Sequence, residues 1–324
     1  YTKASRLSFF LWGTAPDDEL LRAAERGELH DRRGLERQVE RLLESPRVES
    51  GLRTFFDDML AFDSFASLSK DPAAYPGETG ITLTAAREQT LRTIYYLLVT
   101  KTLDYRDLFT TRNTFLTRPL AAVYNVPLLD RSDNGQPDHW ISYTYPAGDP
   151  RAGILTHASF VALHSPAGRS SPTERGKALR EVLLCQTVPA PPGNVDFSLV
   201  QKTDNPNYKT ARDRLAAHAN NPVCAGCHKI MDPMGLALEN FDGGGQFRAE
   251  EKGALIDSSG VLDGKEFKDL AGLGVVLHDH PQLPQCLVKR RQVVAGVLFL
   301  EQRGWRHLRV TQVEFGVGLR DTRG

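Results

Sequence analysis

Apolar residues recur at intervals of three and four along much of the chain, and over the first 125 positions the pattern predicts helices. Leu52, Phe55, Phe56, Met59 and Leu60 form one stripe, and Leu91, Ile94, Tyr95, Leu98 and Val99 form another. Positions so spaced share one face of a helix and are read first as core. Thr14-Ala15-Pro16-Asp17-Asp18 places a capping side chain, a proline and acids ahead of LLRAAERG, and Gly27 stands where that helix should stop. A second helix is expected over 31–44, ended by Ser45-Pro46.

After Asp130 the texture changes to SDNGQPDHW and SYTYPAGDP, rich in turn formers and suited to a surface loop or short strands. Helical spacing returns over 151–164 (RAGILTHASFVALH) and, behind the cap region Ser170-Ser171-Pro172-Thr173, over 173–185. TVPAPPGNV at 187–195 reads as an extended polyproline connector, and a further helix is expected over 209–219. The expected fold class is mostly α.

Composition narrows the functional classes. The 324 residues carry 40 basic and 40 acidic side chains, so the formal net charge is zero and no overall field favours nucleic acid or anionic lipid. No membrane span is expected either, because apolar runs such as VVAGVLFL at 293–300 fall short of the roughly 18 to 20 residues a bilayer helix needs. The chain opens at Tyr1, and SFFLWG at 8–13 lacks the basic leader and small-residue cleavage site of a signal peptide. We read this start as a trimmed N-terminus and expect any export signal in the segment ahead of it.

The chemistry concentrates at Cys224-Ala225-Gly226-Cys227-His228. Haem c needs two thioether bonds along one edge of the porphyrin and an imidazole below the iron, and CxxCH supplies all three from about one helical turn. A zinc site needs four ligands and would have to recruit Cys185 and Cys286, since no second CxxC or HxxxH pair exists. A redox dithiol should follow a strand, whereas DRLAAHANNPV before the motif looks like a helix end and a loop.

The surrounding residues carry a resemblance. RLAAHANNPVCAGCHKIMDPMGLALENFDGGGQFR, with IDSSGVLDG after it, GILTHASFVALHS and SPTERGKALREVLLCQTVPAPPGNVD before it and RLSFFLWGTAPDDELL near the start, resembles the planctomycete-type cytochrome c family. These are secreted bacterial proteins assembled from several domains of unknown function. The likeness spans 4–298; the end departs from it, reading VVAGVLFLEQRGWRHLRV where family members tend towards a tyrosine-containing segment ending in Gly-Arg. The resemblance implies haem c attached at Cys224 and Cys227, with His228 as proximal ligand, in a periplasmic or extracellular protein. The corresponding division is a helical domain of unknown function over 1–150, a helical segment with the proline connector over 151–200, and a cytochrome-c-like haem domain over 201–324. One-electron transfer with a redox partner protein or another haem domain follows as the leading function. A haem peroxidase or oxidoreductase with an open distal site is the first alternative, and a structural protein with a four-cysteine zinc site the second.

The sixth iron position separates electron transfer from chemistry. Candidates are His218, Met234, Met231, the pair His157 and His164 on the expected 151–164 helix, His278 and His280 downstream, or an open site. Met231 should project from the same helical face as His228, whereas Met234 follows Asp232-Pro233, where a turn is expected, and so has more freedom. A backbone carbonyl in that turn at Pro233 is a candidate acceptor for the second imidazole N–H, and Arg248 a candidate partner for a haem propionate. With two cysteines used by haem, the even remainder in an oxidising compartment predicts a Cys185–Cys286 disulfide. Asp257-Ser258-Ser259-Gly260-Val261-Leu262-Asp263-Gly264 lacks the oxygen ligands of a calcium loop and reads as a tight hairpin, and Gly243-Gly244-Gly245 reads as a close approach or bend.

Overall fold

The computed structural model describes residues 1–128, 136–190, 205–219 and 222–295. The polyproline connector beyond 190, the polar loop up to 204, Asn220, Asn221 and the divergent C-terminal segment lie outside the described residues. The chain is mostly α-helical, with short two-stranded antiparallel ribbons between helices.

Capping residues set the first helices. Asp17 accepts the amide of Leu20 at the head of Asp18–Glu25, and Asp31 accepts that of Gly34 at the head of Arg32–Glu44. A side-chain oxygen at this position satisfies an amide that no helical carbonyl can reach. The opening helix Thr2–Trp12 folds over these two, burying Leu11, Trp12, Leu20, Leu29 and Leu42 as a small N-terminal core. The Trp12 indole donates to the Leu42 carbonyl at 2.8 Å.

The two expected stripes meet in the main core. Phe55, Phe56 and Met59 of Val48–Met59 pack with Leu91 and Ile94 of Gly80–Tyr95 and with Leu98 of the π-turn that continues it. That core also takes in Leu155, Phe160 and Leu179 from the middle of the chain, and Met234, Leu238, Phe241, Leu262 and Leu277 from beyond residue 201. One apolar interior therefore draws on all three stretches of sequence.

Strand Asn113–Leu116 pairs with Ile141–Thr144 in the turn-rich region, register Asn113 to Thr144. Gly260–Leu262 pairs with Lys265–Phe267 across Asp263 and Gly264, both at positive φ, so the DG step makes the tight hairpin the sequence predicts.

The helix expected over 151–164 is broken. A 3₁₀ turn, Ile154–Thr156, precedes a short helix, Ala158–Leu163, with His157 and His164 at its two ends. Gly153 begins the break: its φ is +74° and any side chain there would collide with the Phe109 carbonyl. Ser171 caps Pro172–Ala178, which runs on into a π-turn at Leu179–Leu183. Among the described residues no helix is long and apolar enough to cross a membrane.

Candidate functional site

The CAGCH segment lies in the helix Pro222–Leu236, which continues through Pro233 where a turn was expected. Proline removes one amide from the ladder, and the carbonyl four residues back, left without that partner, belongs to the exposed Lys229. The next carbonyl, Ile230, accepts Nε of Arg180 at 3.1 Å. At 3.6 residues per turn, Cys224, Cys227, His228 and Met231 fall on one face, while Gly226, Lys229 and Ile230 are exposed.

Two packing contacts fix this helix. Gly176 lies under the Met231 carbonyl and Gly235 under the Pro172 carbonyl, and a methyl group at either would strike backbone. The pair of glycines lets Pro172–Ala178 cross the motif helix at backbone distance, which brings Thr173 beside Asp232. On the other side the hairpin is tied in by Arg180, which donates to Asp263 Oδ1 at 2.8 Å.

Cys224 is buried and Cys227 half-buried, both free thiols. Cys185 and Cys286 are bonded to each other, so the four-cysteine zinc site is excluded: half of its ligands are consumed. Among the described residues no three His, Cys, Asp or Glu side chains converge as a metal-ion cluster.

His228 is oriented by a carboxylate rather than a carbonyl. Its Nδ1 lies 2.7 Å from Asp232 Oδ2, one helical turn on, and Asp232 Oδ1 accepts the Thr173 hydroxyl at 2.9 Å. Asp232 is buried. The expectation of a backbone acceptor at Pro233 assumed a turn; on a continuous helix the i and i+4 side chains meet instead. The H-x-x-x-D spacing was the available signal. This contact holds the ring and leaves Nε2 as the nitrogen that could take a metal.

The distal candidates lie in different surroundings. His218, on the neighbouring helix Ala211–Ala219, is buried against His228 with ring centroids 4.9 Å apart and planes at 71°. Met231 is buried on the His228 face, whereas Met234 is fully buried as part of the main core, the cluster that also holds Ala237 and Phe241. The freedom expected of Met234 is lost because the helix does not turn. His157 is a core histidine bonded at both nitrogens, to Thr90 at 2.8 Å and to Thr114 at 3.3 Å, and burial pushes it down to about 3. His164 packs on Phe160, and burial holds it down to about 4. His278 contacts Asp107 and Asp279, and His280 contacts Asp263. Arg248 binds the Glu239 carboxylate and the Ser170 hydroxyl, each at 3.0 Å.

Two free thiols and an oriented imidazole on one helical face are the donor types that haem c uses, and a second imidazole, that of His218, packs against the first. No curated protein and no solved structure matches the chain. Residues 1–126 match PSD4, a protein of unknown function (DUF1592), and residues 151–251, which include the CAGCH motif, match PSCyt3, a protein of unknown function (DUF1588). The chain thus carries two segments whose family names belong to the planctomycete cytochrome c family.

Proposed function

We propose that the protein is an exported c-type cytochrome, with haem c joined to Cys224 and Cys227 and ligated by His228, passing single electrons to a partner protein or another haem domain. The observation that carries this reading is the pairing of free thiols at 224 and 227 with a histidine whose Nδ1 is already held by Asp232. When bound, the group supplies a one-electron iron couple. The chain's own part is to orient the imidazole through Asp232 and Thr173 and to present His218 at the same place. The disulfide favours an oxidising compartment, periplasmic or extracellular. The test is expression with the cytochrome maturation machinery followed by acid-acetone extraction. A Soret band that stays with the protein, and disappears in Cys224→Ser/Cys227→Ser, is the expected result; haem that extracts from the wild type would reject covalent attachment.

The Asp232 contact also supports the second reading, a haem oxidoreductase, because a carboxylate on the proximal histidine makes it a stronger donor and favours ferric iron. Spin state separates the two: a six-coordinate low-spin ferric spectrum that becomes high-spin in His218→Ala identifies His218 as the distal ligand and favours electron transfer. A high-spin wild type favours the open site. Under either reading Asp232→Asn should raise the midpoint potential by about 60–120 mV, the one-electron equivalent of the 10- to 100-fold effects typical of such partners. A spectroelectrochemical titration measures this, and an unchanged potential would reduce Asp232 to a local packing role.

A further inference from the structure

A second site lies away from the motif helix. Residues 74–82, the helix Arg118–Tyr124 and the 242–246 loop enclose a cleft of about 800 Å³, a size typical of small-molecule sites. Pro76, Ile81, Pro119 and Val123 give it apolar walls. Among the described residues its charged lining consists of Glu78, Asp138 and Asp242, and none is basic.

Glu78 is 8% exposed. One of its oxygens, Oε2, accepts the Thr82 hydroxyl at 3.2 Å, while Oε1 is buried with no hydrogen-bond partner among the described residues. Leaving a carboxyl oxygen so placed costs free energy, and in a native structure it calls for an explanation. The neighbouring charges do not supply one. Lys70 spends its ammonium on the carbonyl oxygens of Ala162, Ser165 and Pro166. Asp242 turns Oδ1 to the amides of Gly244 and Gln246, each at 2.9 Å. Two of the three consecutive glycines belong to this arrangement: a methyl group on Gly243 would strike the Tyr75 hydroxyl and one on Gly244 would press on Glu78. The glycine run thus brings the loop carrying Asp242 down onto Tyr75 and Glu78.

We propose that this cleft binds an organic cation with an apolar body, its ammonium paired with Glu78 and its hydrocarbon part against Ile81, Pro119 and Val123. The proposal is independent of the haem reading. A cation would supply the partner that Glu78 lacks and match a lining with carboxyls of one sign. Burial first, then the Asp242 charge, pushes Glu78 up to about 7, against the Thr82 hydrogen bond and the Lys70 charge. Tyr75, also lining the cleft, is held above its usual range by burial and Asp242.

Titration calorimetry of the full chain with benzylamine, and with benzyl alcohol and benzoate as neutral and anionic counterparts, tests this. Benzylamine should bind at least about tenfold more tightly than either counterpart. Because it pairs with the carboxylate, its affinity should be about tenfold higher at pH 8 than at pH 6. Glu78→Gln, close in shape, should lower the affinity at pH 8 by about tenfold or more and abolish the pH dependence. Equal binding of benzyl alcohol, no pH dependence in the wild type, or no binding of benzylamine at millimolar concentration would each overturn the proposal. These arms need no variant, so they stand even if Glu78→Gln fails to fold.

Discussion

Replacing both Cys185 and Cys286 with serine is expected to lower the unfolding free energy by about 4 kcal/mol and, on the proposed haem reading, to leave attachment at the other two cysteines intact. The bond joins residues 101 apart and encloses the entire motif helix. Closing a loop of that length restricts the unfolded chain by up to about 4.7 kcal/mol on the entropy model, and measured losses of native disulfides run at about 2–5 kcal/mol. In the folded protein the same bond ties the turn after Leu179–Leu183 to the helix Gln282–Ala295. Arg290 reinforces that seam by donating to the Glu181 and Val182 carbonyls at 2.7 and 3.0 Å. Urea titrations of the wild type and the double variant, read by circular dichroism, measure the difference. A loss below about 1 kcal/mol would mean that packing around residues 181–186 and 282–290 already fixes the seam. Loss of covalent haem in a variant that still folds would contradict the assignment of the other two cysteines to attachment.

Much of this architecture is legible locally. Ser171 falls in the expected cap region, and the first helix, capped by Asp17 rather than the expected Thr14, still starts within that stretch, because a capping side chain acts within three residues of itself. The Phe55–Met59 and Leu91–Leu98 stripes mark core because burial follows the helical repeat. The disulfide followed from counting cysteines under an assumption about export. What the sequence concealed is long-range. The break at Gly153 depends on the Phe109 carbonyl, 44 positions earlier, occupying the space a side chain would need. The helix persists through Pro233 while its opposite face is held by Gly176 and Pro172, and this continuity moved the imidazole's partner from a carbonyl to the Asp232 carboxylate. Glu78 sits in an unremarkable PGET turn, and only the fold brings Asp242 and the glycine run against it.

Arg175 shows how far the site depends on such distant contacts. Its side chain is fully buried, and its guanidinium reaches the carbonyls of Leu238 at 2.9 Å, Phe241 at 2.7 Å and Asp242 at 2.7 Å, as well as the Ser165 hydroxyl at 3.1 Å. It also meets Glu239 Oε1 at 3.3 Å, while Glu239 Oε2 is shared by Ser170 and Arg248. One side chain on Pro172–Ala178 therefore gathers the end of the motif helix and the start of the glycine loop. Arg175→Met preserves much of the volume but strips these carbonyls of their donor and leaves Glu239 with Arg248 and the Ser170 hydroxyl. Removing one partner of a buried ion pair costs about 3–5 kcal/mol, so a loss in that range is expected. Arg175→Lys should recover only part of it, because an ammonium cannot present the planar fork that serves several acceptors at once. Urea titration with an unchanged m-value would assign the loss to the folded state. A methionine variant within about 1 kcal/mol of the wild type would show that water or a shifted Arg248 takes over these acceptors. Because Asp242 lines the cleft and Thr173 shares a helix with Arg175, the variant should also weaken benzylamine binding and lift the haem potential, two readouts a purely local defect would leave unchanged.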